Sequence, residues 1–407
     1  MKMKVNKTFK RILKISLGLI ALIPTILLGQ MLLFNMKYQN DEKIIFGWDK
    51  ENRRFQINEK KQYEINGIDG PYLIGDTLYY VNEENIVVKS TEIKDSLQVR
   101  VPNKDADSFH FSLRKNIEKD LFSYAMPEKL IAISDIEGNF DAFCGFLQKN
   151  KIIDQNFNWV FGKGHLVLNG DFVDRGQHVT PTLWLIYKLE EQALQQGGKI
   201  HYVLGNHEIM NFQGNHKYAD AKDIKLAQII YPSASTKESY KILYSEKSEI
   251  GRWLRTKNVV TKIGDYLFVH AGFSPEILLH HLSLENINEI TRKNWDKDLY
   301  KYPQSDSIAN FLLGRKGPFW YRGLVKSYKY YDKANAKDVQ EILKTYQAEK
   351  IVVGHSIVDA VSADYHGKVI RIDVKHGNEK HSPQTQGLLV ENGIEYKTDA
   401  MGKRTKL

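Results

Sequence analysis

The chain has 407 residues, 42% of them hydrophobic and 11% aromatic, which excludes a disordered polymer and suffices for one large domain with additions. The formal charge of +9 sits at the two ends: residues 1–14 carry six basic side chains and no acid, and residues 397–407 carry Lys397, Lys403, Arg404 and Lys406 against Asp399. The body is therefore near neutral, so nucleic acid binding is not expected. The single cysteine, Cys144, excludes an intrachain disulfide.

In chain order, the first element is an uncharged run of 20 residues, Ile15 to Phe34 (ISLGLIALIPTILLGQMLLF). A helix of that length spans roughly 30 Å, the thickness of a bilayer's hydrocarbon core. Six basic residues precede it, whereas only Lys37 and Lys43 follow closely. That bias predicts a single-pass membrane protein with its N-terminus in the cytoplasm and the body of the chain outside, in a periplasmic space. A cleaved signal peptide is the alternative, although no Ala-x-Ala closes the run.

Residues 37–60 are polar and read as a linker. Residues 61–125 contain short alternating runs, PYLIGDTLYYV and NIVVKSTEI, broken by turn residues, and predict a small β-rich module. From residue 126 to 395 the pattern is α/β. Five short apolar runs read as strands: LIAIS, HLVLN, KIHYVL, YLFVH and KIVVGH. The clearest helix runs from Thr180 to Gln196, with Thr180 as cap, Pro181 in the first turn and Gly197-Gly198 at the end. Residues 212–258 read as a mostly helical insertion, and residues 396–407 as a basic tail. Cys144 lies in the helix-like FDAFCGFL, where a small buried apolar role is expected.

Each of the five strand runs ends on a metal-ligand residue type: Asp135 and Glu137, then Asp171, then Asn206 and His207, then His270, then His355. Singly, each is an ordinary turn residue, helix cap or near-core histidine. Five at the same strand end, where layered α/β folds build their sites, point to one metal centre. Carboxylates and imidazoles suit Mn, Fe, Zn or Mg.

NGDFVDRG (169–176), LGNHEIMN (204–211), FVHAG (268–272) and VVGHS (352–356) resemble the signature blocks of the calcineurin-like metallophosphoesterases. GNHEIMNFQGNHKY (205–218) and GPFWYRGL (317–324) resemble the Shewanella-like protein phosphatase branch. The resemblance implies an α/β fold of two facing sheets flanked by helices. It implies two divalent metals, manganese foremost, sharing Asp171, with Asp135 and residue 137 completing one site and Asn206, His270 and His355 the other. It also implies that His207, paired with Asp174, protonates the leaving group, that Arg175 binds phosphate, and that Arg322 is a second phosphate clamp. Glu208 and Asn211 are read as supporting residues.

Glu137 departs from the motif, where a histidine is expected. Glu can ligate through oxygen, but three carboxylates then face two dications, which weakens both phosphate attraction and water acidification. An active site restricted in its metals and a dead site both remain readings. The expected function is a membrane-anchored phosphomonoesterase acting on phosphoprotein by a metal-activated hydroxide. The alternatives are a phosphatase of small molecules or nucleotides, and an inactive membrane-tethered metal- or phosphate-binding protein.

Overall fold

The computed structural model describes residues 37–39, 43–49, 53–300 and 307–407. The expected membrane anchor, residues 15–34, lies outside them, and among the described residues no helix is long and apolar enough to cross a membrane. The chain divides into two compact units that meet at Tyr63/Glu64. In the first unit, the stretch read as a linker forms a three-stranded antiparallel sheet of β1 (Lys37–Gln39), β2 (Lys43–Asp49) and β3 (Arg54–Lys60).

The second unit opens with the β-rich segment. A meander of β4 (Asp69–Ile74), β5 (Thr77–Val81) and β6 (Val87–Ser90) precedes a hairpin of β7 (Leu97–Arg100) and β8 (Ser108–Phe111). The short β9 (Ser123–Tyr124) leads into the α/β body. There follow β10 (Lys129–Ile133), α1 (Phe140–Lys149), β11 (His165–Asn169), α2 (Val179–Gln195) and β12 (Lys199–Val203). Next is α3 (Asn206–Phe212), and the insertion carries α4 (Ala221–Ile230), α5 (Thr236–Lys241) and α6 (Glu249–Leu254). Then come β13 (Val260–Ile263), β14 (Tyr266–Val269), α7 (Leu284–Asn294), α8 (Ser307–Leu313), α9 (Ala336–Thr345) and β15 (Lys350–Val353). The chain closes with β16 (Ser362–Asp364), β17 (Val369–Arg371), β18 (Gln386–Glu391), β19 (Ile394–Asp399) and β20 (Arg404–Lys406).

Two six-stranded sheets form the sandwich expected from sequence, with strand orders β12-β11-β10-β18-β19-β20 and β16-β17-β15-β14-β13-β9. They face each other through Leu130, Ala132, Val167 and Leu388 on one side and Ile263, Phe268, Val352 and Ile370 on the other. Strand alternation sends Leu267 and Val269 the other way, onto Ile287 of α7 and Val339 and Ile342 of α9. Because β10, β11 and β15 are covered on both faces, their sequences are continuous apolar runs. The parallel register β10–β11–β12 and β14–β15 brings the C-terminal ends of all five ligand-bearing strands to one edge of the sandwich.

Two further readings differ from the structure. Thr180 is not the cap of α2, which begins at Val179 with His178 preceding it. The Thr180 hydroxyl instead donates to Tyr72 Oη of β4 at 2.7 Å, a partner far away in sequence. The basic tail carries β20 and the end of β19, at the edge of the first sheet, where solvent suits its charges.

Candidate active site

Asp171 follows β11 and lies at the centre of the strand-end cluster. His270 Nε2 lies 3.0 Å from its Oδ2 and 3.1 Å from Asn206 Oδ1. The other ring nitrogen of His270 donates to the carbonyl of Asn169 at 2.9 Å, which fixes the ring and turns Nε2 toward the cluster. The ligand atoms of Asp171, His270 and His355 all lie within 4.8 Å of one another, as do those of Glu137, Asp171 and His207. Asp135 Oδ2 accepts the backbone N–H of His355 at 3.1 Å, which ties a strand end of one sheet to a strand end of the other. His355 Nε2 is buried and has no hydrogen-bond partner. A lone pair of this kind, in an oxygen- and imidazole-lined pocket, is what a divalent ion would use, so the donor set fits the two ions that the sequence implies.

Close approach and strain both mark the site. A Cβ on Gly170 would sit 2.3 Å from His270 Nδ1, and one on Gly205 would sit 2.2 Å from Asp171 Oδ1, so only glycine permits these loops to meet. Asp135, Glu137, Asp171, Asp174, Arg175 and His355 all adopt left-handed backbone, with φ between 49° and 70°. Each costs about 1–2 kcal/mol for a residue with a Cβ. Such strain persists where surrounding packing over-determines the geometry, and it clusters at functional sites.

Glu208 holds these loops. Its carboxylate is fully buried and accepts from Gly205 N at 2.7 Å, Phe172 N at 2.8 Å, Tyr202 Oη at 2.8 Å and Asp171 N at 3.0 Å. Asp171 in turn accepts His207 N at 2.9 Å.

His207 faces away from Asn206, as expected of adjacent residues at the start of a helix. Its Nδ1 donates to Asp174 Oδ2 at 2.7 Å, and its Nε2 lies 3.5 Å from Arg175 Nη2. Burial opposes a charge on His207, but Asp171 and the bond to Asp174 outweigh it and raise its pKa to about 9. Burial pushes the Asp135 carboxyl up to about 7, against the pull of His270. Asp171 is also penalised by burial, yet His270 and His207 hold it below the usual carboxylate range. Burial, reinforced by His270 and Arg322, keeps His355 neutral.

The cluster opens into a cleft of about 780 Å³ lined by Asp135, Glu137, Asp171, Arg175, Asn206, His207, Arg322 and His355, among others. His270, fully buried, lies beneath it. Arg175 is ion-paired with Glu137, and its guanidinium carbon lies 5.3 Å from the centroid of the Tyr218 ring. Arg322 donates to the carbonyl of His355 and, at 3.2 Å, to Ser356 Oγ, which anchors its guanidinium at the rim. The structure thus brings together all ten residues singled out from sequence. It adds Asp373, buried just past β17, whose carboxyl burial and the nearby Asp135 and Glu137 push well up. It also adds His376, which donates to the Ser134 carbonyl at 2.8 Å, and the cleft walls Tyr218 and Trp320. Asp373 was findable as an acid closing the strand-like VIRID, whereas the positions of Tyr218 and Trp320 on the cleft depend on tertiary placement. The His376 segment lies close because Gly145 sits inside α1: a Cβ there would fall 1.4 Å from the Lys380 carbonyl oxygen.

Residues 128–359 match the family model of the calcineurin-like phosphoesterases. A Plasmodium berghei protein named Shewanella-like protein phosphatase 1 is 28% identical over 256 residues, which cover 63% of this chain and 67% of that one. Shewanella-like protein phosphatase 2 of Arabidopsis thaliana is 28% identical over 298 residues, 62% of this chain and 72% of that one. The crystal structure of a cold-active protein-tyrosine phosphatase from a psychrophilic Shewanella superposes with a TM-score of 0.73 at 33% identity, covering 84% of this chain and all of that one.

Glu208→Gln is expected to place an amide N–H₂ against donors that now share a carboxylate. Leaving such buried donors without an acceptor costs about 1–3 kcal/mol. Urea unfolding should show that loss, and Mn-supported turnover should fall more steeply than stability, because the loops carrying Asp171 and Asn206 lose their common anchor. A variant with native stability and turnover would remove Glu208 from this role.

Proposed function

The chain belongs to the calcineurin-like phosphoesterase family and is a phosphatase of its Shewanella-like branch, and from that premise we propose that it dephosphorylates phosphoproteins at a site holding two divalent ions. The observation that carries the reading is the position of Asp171, whose carboxylate lies within 4.8 Å of the ligand atoms of His270 and His355 and also of those of Glu137 and His207. Asp135, Glu137 and Asp171 would hold one ion, and Asp171, Asn206, His270 and His355 the other. When bound, the ions supply the positive charge that phosphate oxygens meet and the acidity that lets water attack at neutral pH, with manganese best suited to a carboxylate-rich first position.

The chain's own residues then divide the work. Arg175, beside His207 and open to the cleft, binds phosphate oxygens, with Arg322 as a second cation at the rim. His207, held protonated by Asp171 and Asp174, gives its proton to the leaving oxygen as the phosphoester bond breaks. Asp174 orients the ring and stabilises its charge. Tyr218 and Trp320 give the cleft flat walls, which suit an aromatic leaving group, and the similar Shewanella enzyme is named a protein-tyrosine phosphatase. The uncharged run 15–34 and its basic flank support a membrane anchor with the catalytic body outside the cytoplasm.

His207→Asn should lower kcat by about 10²–10⁴ with metal content unchanged. The loss should be larger for an alkyl than for an activated aryl phosphate, because a good leaving group needs less protonation. Equal losses on both substrates would remove His207 from the acid role.

Glu137→Ala should lower bound metal by about one ion per chain, and Glu137→His should restore it and extend activity toward Zn, which imidazole suits. Unchanged metal stoichiometry in the Ala variant would assign Glu137 to Arg175 alone.

Protease added to intact spheroplasts should digest the body of the full chain. Protection until the inner membrane is lysed would reverse the proposed orientation.

A further inference from the structure

Beside the cleft stands an ordered surface that the chemistry above does not use. Tyr328 and Tyr331 exchange two backbone hydrogen bonds, of 2.9 and 3.0 Å, and so close a tight turn with Lys329 and Tyr330 at its tip. The turn is pinned to the catalytic segment, because Tyr331 Oη accepts the backbone N–H of Arg322 at 2.9 Å and donates to the carbonyl of Trp320 at 3.2 Å. The tip is thus fixed relative to the phosphate-binding end of the site.

From the cleft to the tip the contacts are continuous. The Trp320 ring packs edge-on to His355 at 5.9 Å and lies 4.7 Å from the ring of Tyr300. The Arg315 guanidinium carbon is 5.3 Å from the Tyr300 ring and 4.1 Å from that of Tyr330. The Tyr330 ring lies 5.7 Å from that of Tyr328, with the Lys329 ammonium 4.6 Å from the Tyr330 ring. Each step is one side chain long, so the ledge falls within about six residues of extended peptide from the phosphate site.

Its composition is that of an interface. Tyr328 is 47% exposed and Tyr330 39%, and Arg315, Lys326 and Lys329 are exposed among them. Tyr, Trp and Arg are the residue types enriched where proteins meet. The neighbouring Lys316 and Lys333 are paired with Glu276 and Asp364, whereas Arg315 hydrogen-bonds the Tyr300 phenol and Lys329 that of Tyr330, and among the described residues neither forms an ion pair with a carboxylate. Asp332, just past the turn, is the acid nearest to Lys329 in sequence. Arg315 lies over the Tyr330 ring and hydrogen-bonds the Tyr300 phenol, and its five N–H donors leave others for a carboxylate.

We propose that this ledge binds acidic residues flanking the phosphorylated residue of a protein substrate, and so selects substrates whose phosphosite lies in an acidic sequence. The proposal rests on the phosphoprotein reading and deepens it. The occupant is a peptide and not a lipid surface, because the ledge is continuous with the cleft through Trp320 and fixed to Arg322.

Two fluorescent phosphotyrosine peptides, identical except for Glu or Gln at the six positions on each side, decide the matter. With the full chain at low salt, the Glu peptide should bind about 10-fold more tightly, as expected for two exposed ion pairs, and the advantage should shrink with added salt. The paired change Arg315→Glu with Lys329→Glu should abolish or invert the preference and leave aryl phosphate turnover unchanged, since neither residue lines the cleft. Equal affinities in the unmodified chain, or a preference that survives the charge reversal, would overturn the proposal. So would a charge reversal that abolishes binding to phosphatidylglycerol vesicles but leaves the peptide preference intact, which would make the ledge a membrane contact. Absence of aryl phosphate turnover in the Mn-loaded chain would overturn the functional reading instead, while the affinities still decide the ledge.

Discussion

One buried carboxylate fixes the geometry on which the site depends. Glu208 accepts four hydrogen bonds from three places in the fold: the loop after β11, the start of α3 and the end of β12. Burying an acid in this way is costly, and burial together with Asp171 does raise its pKa. The donors offset that cost only when all of them converge, so the carboxylate selects a single arrangement of the loops. That arrangement fixes where Asp171 points, how closely Gly205 approaches it, and where α3 begins. Asn206 and His207, adjacent in sequence, leave the helix start in different directions because the helix start is set. One can face His270 while the other faces Asp174.

The left-handed residues show the same logic in the backbone. Six of them surround the cleft, and all six carry side chains singled out for chemistry. None of these conformations is favoured locally. They are held by backbone bonds between loops: Asp135 N to Gly170 O, Glu137 N to Asp171 O, Arg175 N to Tyr218 O and Gly354 N to His270 O. The sandwich beneath them, packed through Leu130, Val167, Phe268 and Val352, provides the rigid base from which such loops can be strained without yielding.

What could be read in the sequence follows from this construction. The five strands were legible because burial on both faces makes them continuous apolar runs, and the ligands were legible because parallel strands end at one edge. Elements held by distant partners were not. Thr180 looked like a helix cap until Tyr72 of β4 claimed its hydroxyl. β1–β3 lay hidden in a charged stretch that lacks a clear alternating apolar pattern, and β20 in a basic tail. Tyr218 and Trp320 lie in blocks that resemble the Shewanella-like branch, but their place on the cleft walls follows only from tertiary placement. Asp373 was visible as a residue type, but its proximity to Asp135 was not.

The unusual Glu137 acquires a different meaning once Arg175 is seen against it. From charge counting alone, a third carboxylate makes the centre less attractive to phosphate. The structure, however, sets the guanidinium proposed to bind phosphate directly on that carboxylate, so the added negative charge is shared with a cation of the same site. Burial pushes the Glu137 acid up and Arg175 draws it back, while Asp373 close by is pushed well up, toward the neutral acid. In the proposed mechanism an incoming phosphate competes with Glu137 for Arg175. A carboxylate released from that ion pair is freer to face the first ion, so substrate binding and retention of that ion would strengthen each other.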